Sequence, residues 1–162
     1  MRTPRRVPLL LLLMTLPLAA QILPPETRQF DFWLGEWDVT NPAGKLAGTS
    51  RVESVAASAG VLENWTGATG YTGRSLNAWN AAKKQWQQYW VGSDGGVLEL
   101  SGGLLDGCMV LAAEHEVNGT RRIERITWIP NADGTVRQHW EQSIDGGKTW
   151  TTAFDGLYRK RS

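Results

Sequence analysis

The side chains able to do chemistry are few. The 162-residue sequence has two histidines, His115 and His139, and one cysteine, Cys108. No Gly-x-Ser-x-Gly elbow, no Cys/His cluster at metal-ligand spacing and no phosphate-cradling glycine loop occurs in it. The best acid–base pair is His139 with Glu141, which would share one strand face with Arg137. Strand alternation alone accounts for such a polar face, so no catalytic or metal-binding residue is assigned. His115 stands between Glu114 and Glu116 ahead of a turn and reads as surface. A lone cysteine within an apolar strand reads as an inert thiol and excludes an internal disulfide.

Rings and amides make a stronger pattern. Trp86, Gln88 and Trp90 alternate along one segment. Glu124, Ile126 and Trp128 alternate on a second, and Val136, Gln138, Trp140 and Gln142 on a third. If these faces point inward they enclose a cavity with aromatic walls and a few polar groups, which suits a small, partly apolar molecule. The candidate ligand contacts are Trp90, Trp128, Gln138 and Trp140, with Arg125 as a carboxylate anchor if a bulge turns it inward. Two alternatives remain open: an enzyme using His139 and Glu141 in the same cavity, or a barrel filled by its own rings that acts as a protein-interaction module.

These residues need strands to hold them. Nine tryptophans and 18 glycines against only three Phe and three Tyr favour sheets with frequent turns. Asn41-Pro42-Ala43-Gly44, Gly92 to Gly96, Asn118-Gly119 and Ala132-Asp133-Gly134 all read as turns, and Gly102-Gly103 as a bend after a strand over Val97 to Ser101. About ten short strands result, with turn signals every eight to twelve residues. Nearly all connections are short, so neighbours in sequence are neighbours in the sheet. The expectation is all-β, an antiparallel up-and-down barrel.

The chain begins differently. Arg2, Arg5 and Arg6 precede an apolar run from Val7 to Leu18 that is too short to span a membrane, and small residues follow to Ala20. Residues 1–20 are therefore expected to be a signal peptide cleaved near Ala20, with export to the periplasm or beyond. Its loss removes three arginines and no acid, so 17 bases against 16 acids become 14 against 16, and net charge moves from +1 to −2. A mildly acidic domain without a basic stripe is not expected to bind nucleic acid, and no later stretch reaches membrane-spanning length. Pro24-Pro25 makes 21–29 a linker leading into a short helical turn over Thr27 to Phe32, and residues 30–160 form the single domain.

Phe30-Asp31-Phe32-Trp33-Leu34-Gly35-Glu36-Trp37 opens that domain. Its Gly35-x-Trp37 resembles the signature of the lipocalin-like (calycin) barrels. There the Trp closes one barrel end, often beneath a basic side chain of the last strand, here Arg159 or Lys160. Together with Leu98 to Gly103, Arg125 to Trp128, Arg137 to Ser143 and Phe154 to Tyr158, the pattern resembles an exported bacterial family of unknown function with a lipocalin-like barrel. No activity comes with that resemblance. The distant analogy is nitrobindin, a haem-binding barrel; its glycine pattern after the first Trp is replaced here by Asp38 to Asn41, so no haem or other cofactor is expected. Ser143-x-Asp145-x-Gly147-x-Thr149-Trp150 matches the Asp-box of sialidase propellers, a hairpin device with a structural role for Ser143, Asp145, Gly147 and Trp150.

Overall fold

A computed structural model describes residues 23–161, so the expected signal peptide lies outside the described residues. Ten strands form a closed antiparallel barrel in the order β1-β10-β9-β8-β7-β6-β5-β4-β3-β2. They are β1 (Gly35–Thr40), β2 (Leu46–Val55), β3 (Gly60–Gly67), β4 (Thr72–Asn80) and β5 (Gln85–Gly92). The second half comprises β6 (Val97–Leu105), β7 (Cys108–Val117), β8 (Thr120–Pro130), β9 (Val136–Ser143) and β10 (Thr151–Lys160). Each strand pairs with its neighbours in sequence, and β1 pairs with β10 to close the ring, Trp37 opposite Lys160 and Val39 opposite Tyr158. Closure leaves no free sheet edge, which is what an up-and-down meander of this length needs.

Local sequence explains most boundaries. Asn118 and Gly119 both take positive φ (51° and 77°), the two-residue hairpin turn their types favour. The expected bend at Gly102-Gly103 is instead strand, and β6 runs on to Leu105. A Cβ on Gly102 would meet the Val110 carbonyl oxygen at 2.2 Å, so the glycine serves close strand approach and not a turn. Strand β2 stops at Val55, and Ala56, Ala57 and Ser58 that follow all adopt positive φ.

The helical turn expected over Thr27 to Phe32 is present as two short 3-10 turns. The one next to β1 is Asp31–Trp33. A second 3-10 turn, Pro25–Arg28, with buried Thr27, occupies part of the expected linker. Its neighbour Gln29 accepts the Trp86 indole N–H at 3.0 Å, tying this segment to β5.

Inside, the barrel is layered along its axis. At the end where β1 begins, Phe30, Trp33, Trp37, Trp86 and Trp128 are fully buried and plug the opening. Phe30 meets both Trp86 and Trp128 edge to face, at 5.3 and 5.2 Å between ring centroids. Lys160, and not Arg159, lies over the Trp37 ring, 5.5 Å from its centroid. A polar belt follows, in which Ser50, Glu63, Ser75, Asn77 and Gln88 are all buried. Beyond the belt the interior opens.

Candidate functional site

The opening is a cavity of about 320 Å³ at the end opposite the plug. Its walls are Trp65 of β3, Trp90 of β5, Trp140 of β9 and Phe154 of β10. Glu63, Gln88, Gln138 and Tyr158 supply its polar surface. Two of the rings depend on glycines in neighbouring strands. A Cβ on Gly48 would lie 2.7 Å from the Trp65 ring, and one on Gly73 would lie 2.1 Å from the Trp90 ring. Each indole thus rests directly on bare backbone, which keeps the cavity wide.

The polar belt is one connected network. Gln88 donates to Asn77 Oδ1 at 2.8 Å, and Asn77 donates to Ser75 Oγ at 3.0 Å. Ser75 donates to Glu63 Oε2 at 3.3 Å, while Ser50 donates to Glu63 Oε1 at 2.9 Å. The Tyr158 hydroxyl stands 3.3 Å from Glu63 Oε1 and makes a short hydrogen bond to Gln138 Oε1. A phenol has one proton to give. When it goes to Gln138, a protonated Glu63 completes the chain by donating to the Tyr158 oxygen.

Burial pushes the Glu63 carboxyl up to about 7, although its three hydroxyl partners act to lower it. Tyr158 is raised well above the ordinary phenol range, by burial first and then by the adjacent Glu63. A second buried carboxylate, Glu124 of β8, accepts the Trp140 indole N–H at 2.6 Å and the Gln142 amide at 3.2 Å. His115 Nε2 lies 3.7 Å from it.

Of the expected ligand contacts, Trp90, Gln138 and Trp140 come together on the cavity wall. Trp128 does not; it is fully buried in the plug, 5.4 Å from Trp33, and both indole N–H groups are without an acceptor among the described residues. Arg125 is also elsewhere. Strand β8 keeps an unbroken register with β7 and β9, so no bulge turns Arg125 inward. It lies on the outer face, 3.0 Å from Glu141 and stacked 3.8 Å from the centre of the Trp150 ring.

The same alternation puts His139 and Glu141 outside. His139 Nε2 lies 3.0 Å from the Thr152 hydroxyl, and Arg137 pairs with Asp155 at 2.7 Å, holding that carboxyl below its usual range. With Gln138 and Trp140 inward, their neighbours on β9 face out, so an acid–base pair in the cavity cannot be His139 with Glu141. Among the described residues no three His, Cys, Asp or Glu side chains gather at metal-holding distance.

Between β9 and β10, the Asp-box holds its own turn. Asp145 accepts the Lys148 and Thr149 backbone N–H groups at 2.9 Å each and the Thr149 hydroxyl at 2.7 Å. Those bonds, the Thr149 hydroxyl foremost, lower its carboxyl. Ser143 accepts the Gly147 N–H at 2.9 Å, and Trp150 donates to the Gly147 carbonyl at 3.0 Å.

Glu63, Trp65, Phe154 and Tyr158 are cavity residues that the pattern of tryptophans and amides missed. A signal existed for the first two. Val61, Glu63 and Trp65 share one face of β3, and a lone acid between two apolar inward positions marks a buried polar site. Comparison of the chain with protein-family models and with curated proteins returned no match to either.

Proposed function

We propose that the protein is an exported container for a small, partly apolar molecule, bound in the open half of the barrel against Trp65, Trp90, Trp140 and Phe154. The observation that carries this reading is the shape of the interior. One end is sealed by aromatic rings, and the other holds about 320 Å³ between aromatic walls and a polar floor. That volume falls within the range of small-molecule sites, roughly 300–1,000 Å³. Gln138 and Gln88 set the orientation of the bound molecule, and the rings supply its apolar contact. Export rests on the basic start and apolar run of residues 1–20, and the single binding domain on residues 30–160. Among the described residues no helix is long and apolar enough to cross a membrane.

Native mass spectrometry of protein purified from the exported fraction without denaturation tests the reading. A discrete bound mass is expected. Trp90→Ala and Trp140→Ala are each expected to lose it while keeping a folded circular-dichroism spectrum. Retention of the full bound fraction in both variants would place the molecule elsewhere and end the proposal.

A further inference from the structure

The cavity is electrostatically one-sided. Its 15 lining residues include one acid, Glu63, and no Lys, Arg or His. Glu63 is only 3% exposed and has hydroxyl partners on three sides, but no cation pairs with it among the described residues. The charged groups on the strands packed against it point away: Arg51 and Glu53 of β2 bond each other on the outer face, and Arg74 of β4 is exposed. On the far wall Glu124, with His115 beside it, adds a second acid behind Trp140. Among the described residues Tyr158 of β10 is the one titratable group hydrogen-bonded to Glu63, and Arg137 and His139 of β9 face outward.

A buried carboxyl without a counter-ion is costly to keep unless something pairs with it. A purely apolar ligand would give the chain no reason to hold an acid there. An anionic ligand would find no base among the lining residues to meet it, and would face ring surfaces that are themselves negative. A cation is favoured on both counts, since aromatic faces and a desolvated carboxylate attract it together. Resting on the container reading, we propose that the molecule held in this cavity is an organic cation, its positive group taken by the Glu63 carboxylate and its apolar part by Trp65, Trp90 and Trp140.

The assignment couples binding to the Glu63 proton. Glu63 ionises near pH 7, so at about pH 8 roughly nine-tenths of the empty protein carries the charged form, and at about pH 6 roughly one-tenth. A ligand of fixed charge is therefore expected to bind about tenfold more weakly at the lower pH, because protons compete with it for the carboxylate.

Titration calorimetry with three benzyl probes separates the outcomes: benzyltrimethylammonium, benzyl alcohol and phenylacetate. The ammonium is expected to bind at least about tenfold tighter than the other two at pH near 8, and to lose that margin as pH falls. Glu63→Gln keeps the side-chain volume and one acceptor oxygen for the surrounding hydroxyls, and is expected to lose the preference for the ammonium over benzyl alcohol. The pH series on the unaltered protein reads the same preference should that variant fold poorly. Equal or tighter binding of benzyl alcohol or phenylacetate, or a Glu63→Gln protein that keeps its preference, overturns the cation and leaves the container standing. No binding of any probe at millimolar concentration overturns both.

Discussion

Glu63 ties the stability of the barrel to pH. In the unfolded chain its carboxyl titrates near the ordinary value of 4.5, and in the barrel it titrates at about 7. A raised folded value means the group favours the barrel fully below the unfolded pKa. That contribution fades as pH climbs through the interval and is gone above the folded pKa. The shift corresponds to roughly 3 kcal/mol across this window. Urea unfolding of the wild type and of Glu63→Gln at a series of pH values is expected to show it. The stability difference between the two should move in the variant's favour between about pH 4.5 and pH 7 and stay level above. Parallel profiles would mean that the carboxyl titrates alike in the folded and unfolded chain. This residue was legible in the alternation of β3, as an acid between Val61 and Trp65. Its hydroxyl partners were not, because Ser50, Ser75 and Tyr158 reach it from three other strands, the last 95 positions away.

At the scale of the element, parity decided the site. On β9 the alternation sends Gln138 and Trp140 inward and Arg137, His139 and Glu141 outward, so one strand supplies a cavity wall and an ion-paired outer face. Only one of these two sets can face the cavity, and the rings win because burial of an indole outweighs anything an exposed His–Glu pair contributes. Glycines on β2 and β4 act at the same scale. Gly73→Ala is expected to push the Trp90 ring off its backbone seat, cost about 1–3 kcal/mol by overpacking, and weaken ligand binding by narrowing the cavity. Denaturant unfolding together with the fraction bound in native mass spectra checks both effects. Unaltered binding would show that the ring has room to move. Composition revealed the abundance of glycine and suggested turns. That Gly48 and Gly73 lie beneath indoles depends on which residues face each other across β2–β3 and β4–β5.

The whole molecule is a ring of strands held shut at one end. Phe30 reaches from the 3-10 segment to Trp86 on β5 and Trp128 on β8, strands on different parts of the ring. Phe30→Ala is expected to cost about 3–5 kcal/mol, because truncating it leaves a void between rings that cannot collapse together. Equilibrium unfolding in urea measures this, and a loss under about 1 kcal/mol would show that the plug is not integral to the barrel. The plug also explains the fate of Trp128. It stands on the inward face like the cavity residues, but nearer the sealed end, where Phe30 and Trp33 have already taken the space.

The sequence by itself determined the strand count, the meander order, the hairpin at Asn118-Gly119 and the Asp-box turn. Each depends on residues close together in the chain, where side-chain period and positive-φ preference act locally. It also grouped Trp90 with Gln88 on one strand face and Trp140 with Gln138 on another, without deciding which way those faces point. Only the tertiary structure decided which inward residues fill the barrel and which line its open half. Depth along the axis follows from the register of all ten strands and from the segment that enters one end, neither of which short-range patterning encodes.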